Sequence, residues 1–319
     1  MTSVIEVEHL TKRYGAATAL DDVSLSLAEN TVHGLLGRNG AGKTTLMSIL
    51  TAQNFPTSGT VRVFGEAPYE NARVLGRLCF VRENQKYPDN FKPVHAFRAA
   101  SYFYPNWDQH LAERLAADFQ LPTDRLIKKL SRGQLSAVGI IIAMAARPDV
   151  TFFDEPYLGL DAVARQVFYD RLLEDYSDHP RTIVLSSHLI DEVANLLERV
   201  IVLDKGRVVM DAAADDVRGL AVSVVGDASA VAAFAAGREV LRRQSLGNVT
   251  SAVVKGRVSE ADRARLARSG IEVTPVSLQQ LIVSSAGGGL DQAADGVGTV
   301  AGSRLGDESV VRAHEGGAR

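Results

Sequence analysis

Thr31-Val32-His33-Gly34-Leu35-Leu36-Gly37-Arg38-Asn39-Gly40-Ala41-Gly42-Lys43-Thr44-Thr45 is the stretch on which the fold turns. Its first six residues are mostly apolar and too few for a buried helix, as expected of a strand covered on both faces. The glycine-rich run Gly37 to Gly42 then breaks the strand, and a helix is expected from near Lys43 to about Leu50. Glycines let successive backbone N–H groups curl around a phosphate, which sits at the N-terminus of the helix that follows. In this G-x-x-x-x-G-K-T pattern Lys43 is placed to reach the β- and γ-phosphates of a nucleoside triphosphate, and the Thr44 hydroxyl to ligate Mg²⁺. The bland alternative, a glycine-rich turn with a surface lysine, leaves the strand before it and the helix after it unexplained.

Working outward, Ile5, Val7 and His9 alternate with Glu6, Glu8 and Leu10, which predicts an edge strand. Lys12-Arg13-Tyr14-Gly15 reads as a turn leading into Val23, Leu25 and Leu27, and Ser58 to Phe64 as a returning strand. Leu111, Leu115 and Phe119 stand at helical spacing, and Gly133 to Arg147 forms an apolar helix stopped by Pro148. Val150 to Phe153 and Thr182 to Leu185 are continuous apolar runs, the mark of buried parallel strands. The first ends in Asp154-Glu155-Pro156. An acidic pair at a strand end often only caps a helix. After a phosphate loop it offers Asp154 to the metal shell and Glu155 as the base that polarises an attacking water.

Leu130-Ser131-Arg132-Gly133-Gln134 resembles the signature motif of the ATP-binding cassette (ABC) family. Gly159-Leu160-Asp161 is similar to that family's D-loop, and Ser186-Ser187-His188 to its switch histidine. Together with the phosphate loop and the acidic pair, these motifs run in family order over about residues 4–212. The resemblance implies an α/β fold: a P-loop NTPase core with an antiparallel β subdomain and a helical signature subdomain. It implies ATP held by Gly37, Arg38, Asn39, Gly40, Ala41, Gly42, Lys43, Thr44 and Thr45, with Tyr14 stacking on adenine or simply packing on its hairpin. It implies that Ser131, Arg132, Gly133 and Gln134 close over the ATP of a partner subunit in a head-to-tail dimer. His188 would contact the γ-phosphate, unless it only caps the following helix.

Two departures stand out. Arg132 stands where the commonest form of the signature has glycine, while Gly133 is kept. The glutamine loop is irregular, Phe80-Val81-Arg82-Glu83-Asn84-Gln85: register favours Glu83, side-chain chemistry favours Gln85 as catalytic and Mg²⁺-contacting residue. The aromatic segment Phe91, Phe97, Tyr102-Phe103-Tyr104 and Trp107 reads mostly as a helical core; the resemblance implies that this region faces a membrane subunit, for which a few exposed rings would be enough.

The 319 residues carry a net charge of −3 and a single cysteine, Cys79, so neither a global basic field nor a disulfide or cysteine-rich metal framework is indicated. The longest apolar run, Val138 to Ala146, is far short of the roughly 20 residues that span a bilayer. The resemblance implies an ATP-hydrolysing subunit of an ABC transporter, working in export, cytoplasmic and held at the inner face of the membrane by a separate permease. A cassette ATPase working on nucleic acid or ribosomes is the second reading; it lacks the paired cassettes, coiled coil or basic linker such relatives carry, and no nucleic-acid partner is expected. Domain limits are expected at 1–214 for the nucleotide-binding domain, 215–285 for a small α+β appendage with strands near Ala221–Val225, Ser251–Val254 and Ile271–Val273, and 286–319 for a glycine-rich disordered tail.

Overall fold

The computed structural model describes residues 2–82, 85–218 and 220–281. The chain opens with β1 (Ser3–Tyr14) and β2 (Ala17–Ala28), a hairpin closed by Gly15 and Ala16, so Lys12 to Tyr14 are strand and not turn. The simple alternation expected of β1 fails at His9. That residue takes φ 51°, the register slips between Val7 and Leu10, and Leu10 becomes fully buried. An inserted residue resets the two-residue phase of a strand, which here turns His9 outward to pair with Asp22 at 2.8 Å. β3 (Val32–Leu36) is buried at every position. Next come α1 (Lys43–Leu50) and β4 (Ser58–Val63), which completes a three-stranded antiparallel sheet in the order β2-β1-β4.

α2 (Ala72–Leu75) and β5 (Leu78–Arg82) lead to a helical layer of α3 (Pro93–Phe103), α4 (Gln109–Asp118) and α5 (Arg132–Ala146). Phe97, Leu111, Leu115 and Phe153 share one apolar cluster with α5, and Tyr104 and Trp107 pack against it. Tyr102 and Phe103 are instead 81% and 77% exposed. The chain continues through β6 (Val150–Asp154), α6 (Ala162–Asp178), β7 (Thr182–Ser187), α7 (Ile190–Val193), β8 (Arg199–Asp204) and β9 (Arg207–Ala213). These strands form the central sheet β5-β6-β7-β3-β8-β9, parallel except for the last strand. The ends of β6, β7 and β3 lie side by side, with Asp154 opposite Ser186 and Leu36 opposite Ser187. In such sheets, ligands bind beyond the carboxyl ends of the strands.

After α8 (Ala214–Arg218) comes a second sheet. It contains β10 (Ala221–Asp227), β11 (Val240–Leu246), β12 (Val249–Lys255) and β13 (Glu272–Pro275), in the order β11-β12-β10-β13. α9 (Ala228–Ala235) and α10 (Glu260–Arg268) belong to this unit. Val222, Val224, Val254 and Ile271 make its own small core, whereas Ala221, Val253, Val276 and Leu281 join the main one. Asp191, at the start of α7, accepts hydrogen bonds from Ser277 Oγ (3.1 Å) and Gln279 N (3.2 Å), fastening the appendage to the cassette. The strand not anticipated is β11, whose Arg242, Arg243 and Gln244 are exposed. The expected tail at 286–319 lies outside the described residues.

Next to the start of β7, Asp175 of α6 is buried between two arginines. Arg147 Nη2 lies 2.8 Å from Oδ1 and Arg181 Nη1 2.8 Å from Oδ2, while Arg147 also reaches Asp108 at 2.9 Å. Removing one partner of a buried pair strands the other charge, so Asp175→Ala is expected to lower unfolding stability by about 3–5 kcal/mol, measured by urea denaturation.

Candidate functional site

Gly42 is the N-cap of α1 with φ 108°, and a Cβ there would lie 2.6 Å from the Ala19 carbonyl. Only glycine fits both the conformation and the contact. This turn delivers Lys43 into a buried position where Nζ donates to Gly37 O (2.8 Å) and Arg38 O (3.3 Å) and lies 3.4 Å from Glu155 Oε1. The next residue, Thr44, donates its hydroxyl to Asp154 Oδ2 at 2.6 Å. Ser186, at the end of β7, donates to the other Asp154 oxygen at 2.7 Å and accepts the Glu155 N–H at 3.0 Å.

Glu155 has φ 49°, a left-handed backbone that costs a non-glycine residue about 1–2 kcal/mol. The Ser186 hydroxyl is one of the contacts that hold it there. From this bend the carboxylate reaches Lys43 with one oxygen and His188 Nδ1 with the other, at 2.6 Å. His188 comes from the end of β7, so side chains from three neighbouring strand ends meet at one carboxylate.

These groups line a cleft of about 730 Å³, within the range of ordinary ligand sites. Asn39, Gly40, Gly42, Lys43, Thr44, Thr45, Asp154, Glu155 and His188 all contribute, as do Ala19 and Leu158, which the motifs did not point to. Gly37, Arg38 and Ala41 shape the loop without lining the cleft. Tyr14 and Gln85 do not line it either. Tyr14 is half-exposed, with Lys12 Nζ 4.8 Å above its ring and its hydroxyl accepting from Asn54. The Gln85 backbone N–H donates to Arg82 O at 3.2 Å, and Glu83 lies outside the described residues.

The signature segment is elsewhere on the surface. Ser131 caps α5 and forms a reciprocal box with Gln134, both bonds at 3.1 Å. Gly133 packs so tightly on the D-loop that a Cβ would sit 2.5 Å from Gly159 O. Arg132 lies over Gly159, and Asp161 caps α6 by accepting Ala164 N–H at 2.8 Å. None of these residues touches the chain's own cleft. Tyr157 was missed by motif reading, because it follows a proline and reads as core; Ser186 was quoted beside the switch histidine but given no role of its own.

Thr44 Oγ1 and Asp154 Oδ2 form an adjacent pair of hard oxygen donors at the cleft, the kind Mg²⁺ takes alongside phosphate oxygens. Among the described residues no group of three or more His, Cys, Asp or Glu is placed to hold a metal ion.

The ABC transporter family matches residues 20–158. The bacitracin transport ATP-binding protein BcrA of Enterococcus faecalis is 30% identical over 212 residues, covering 66% of this chain and 69% of that one. The ribose import ATP-binding protein RbsA of Pseudomonas putida is 36% identical over 221 residues, 65% of this chain and 42% of the other. A solved ATP-binding subunit of an ABC transporter superposes with a TM-score of 0.61 at 25% identity, over 68% of this chain and 92% of its own. A phosphate loop feeding an acidic strand end, on a fold shared with these proteins, defines an ATP-hydrolysing cassette. The chain belongs to the ABC transporter ATP-binding proteins. Because Ser186 holds both Asp154 and the bent Glu155 backbone, Ser186→Ala is expected to cost about 1–3 kcal/mol of stability, read as a lowered thermal midpoint.

Proposed function

We propose that this chain is the motor subunit of a transporter whose ATP cycle is run by Lys43, Thr44, Asp154, Glu155 and His188. The observation that carries this is the Glu155 carboxylate, held between the Lys43 ammonium and the His188 ring at the mouth of the phosphate loop. Lys43 exchanges its loop carbonyls for the β- and γ-phosphates, while loop N–H groups at the start of α1 take the remaining phosphate oxygens. Thr44 and Asp154 hold Mg²⁺, which when bound neutralises charge on the phosphates. Glu155 takes a proton from the attacking water, and His188 contacts the γ-phosphate. One face of the Tyr14 ring is left for adenine, since Lys12 covers the other.

The signature residues Ser131 to Gln134 serve a second copy or a homologous cassette. They present a capped helix N-terminus, a site suited to anions, yet face away from their own cleft. Asp161 lies next to them and belongs to the same contact. Gln85 is the glutamine-loop residue of this reading, at the start of the segment leading to α3.

Among the described residues no helix is long and apolar enough to cross a membrane, so the transport path is assigned to a separate permease. The exposed Tyr102 and Phe103 of α3 are the docking rings. The chain then works at the inner face of the membrane, with residues 1–214 as motor and 215–285 as accessory domain. Outward transport is the direction proposed, by likeness to relatives such as the Nod factor export ATP-binding protein I of Cupriavidus metallidurans, 29% identical over 213 residues. The reading of action on nucleic acid gains nothing from these relatives.

Glu155→Gln is expected to abolish turnover while retaining ATP, leaving an ATP-trapped dimer visible by size exclusion; hydrolysis at the wild-type rate sinks the assignment. Lys43→Ala is expected to weaken ATP binding at least about tenfold in a fluorescent-nucleotide titration, from the loss of charge-assisted contacts of about 1.5–3 kcal/mol.

A further inference from the structure

Tyr157 lies two residues beyond Glu155, and its ring is 1% exposed. Its hydroxyl, however, stands at a junction of polar groups. It accepts the backbone N–H of His188 at 3.1 Å, lies 3.1 Å from Ser187 Oγ, and lies 3.3 Å from His188 Nδ1. That same Nδ1 is 2.6 Å from Glu155 Oε2. Two groups of different capability therefore face one ring nitrogen: an ionised carboxylate only accepts, whereas a hydroxyl also donates.

Counting hydrogens orders these contacts. While Glu155 faces Nδ1, that nitrogen carries the hydrogen. Tyr157 then gives its single proton to Ser187 Oγ, which also accepts Leu189 N–H at 2.8 Å. In the neutral ring this leaves Nε2 an acceptor, unable to hydrogen-bond a phosphate oxygen. The residue that lines the cleft is thus in the wrong tautomer for the role assigned to it. Correcting this needs a donor to Nδ1, and the Tyr157 hydroxyl is already within reach.

We propose that Tyr157 is a positioning residue that sets the His188 tautomer: when Glu155 turns to the attacking water, the Tyr157 hydroxyl rotates from Ser187 Oγ to donate to Nδ1, leaving Nε2–H for the γ-phosphate. The exchange is neutral. One proton leaves Nδ1 for solvent, one reaches Nε2 from solvent, and Glu155 remains ionised to receive the proton of the water. Burial pushes the Tyr157 hydroxyl up to about 12, so it keeps the proton that donation requires. Its hold on the His188 N–H fixes the ring's position throughout.

The inference rests on the roles given above to Glu155 and His188, and the test separates the two. Full-length Tyr157→Phe is expected to keep its thermal midpoint within a few degrees and its KM for ATP within about twofold, while kcat falls about ten- to hundredfold. Nitrogen-15 spectra of the His188 ring, assigned with His188→Gln, are expected to move from Nδ1–H to Nε2–H when Mg²⁺ and a non-hydrolysable ATP analogue are added to wild type. Tyr157→Phe is expected to stay Nδ1–H. Tyr157→Phe turning over within about twofold of wild type, beside an inactive Glu155→Gln, overturns the proposal and leaves the site reading intact. An active Glu155→Gln removes both. The wild-type spectrum decides by itself should Tyr157→Phe not fold: a ring that stays Nδ1–H, or is protonated on both nitrogens, overturns the proposal.

Discussion

The Asp154 carboxylate is the fastening point of the site. One oxygen takes the Thr44 hydroxyl from the first turn of α1, the other takes Ser186 from the end of β7. Three segments far apart in sequence are thereby tied at a single side chain on β6. Asp154 is almost fully buried, and a buried carboxylate without donors is costly; these two hydroxyls meet that need. The same Ser186 oxygen then accepts the Glu155 N–H, so the geometry of the next residue follows from that of Asp154. The left-handed bend at Glu155 is tolerable because it is held in this way, and it aims the carboxylate between Lys43 and His188.

Much of this was legible because the buried strands and the turn residues speak locally. β3, β6 and β7 are buried along their lengths on short apolar runs, and the turn between β3 and α1 takes the positive φ at Gly37, Gly40 and Gly42 that glycine adopts most readily. What failed did so for a physical reason. The phase of β1 depends on a bulge at His9 that its partner strand decides, and period-two alternation carries no sign of it. β11 is an edge strand exposed on nearly every residue, so it lacks the apolar face from which a strand is read. Tyr157 is apolar by company and polar by contact. Its hydroxyl partners come from β7, thirty residues on, and only the sheet order brings them together.

The positions of the family motifs bear on one another. The phosphate loop, the acidic pair and His188 share a cleft, whereas the signature residues pack on the D-loop and turn away from it. Gly133 packs that segment onto the D-loop, against Gly159 O with no room for a methyl group. The capped start of α5 thus stays outside the lining of the chain's own cleft. If each chain holds its triphosphate on one surface and offers an anion-seeking helix end on another, joining the two requires a second chain. A two-fold axis satisfies both chains at once, because the same pair of surfaces then meets twice. Arg132, exposed at the first turn of α5, adds a cation to that surface. Bound ATP would sit between the two halves and supply part of their contact, so the affinity of the pair would rise and fall with the triphosphate. In the reading proposed above, that dependence would turn a hydrolysis step confined to one cleft into a movement that a membrane partner could feel.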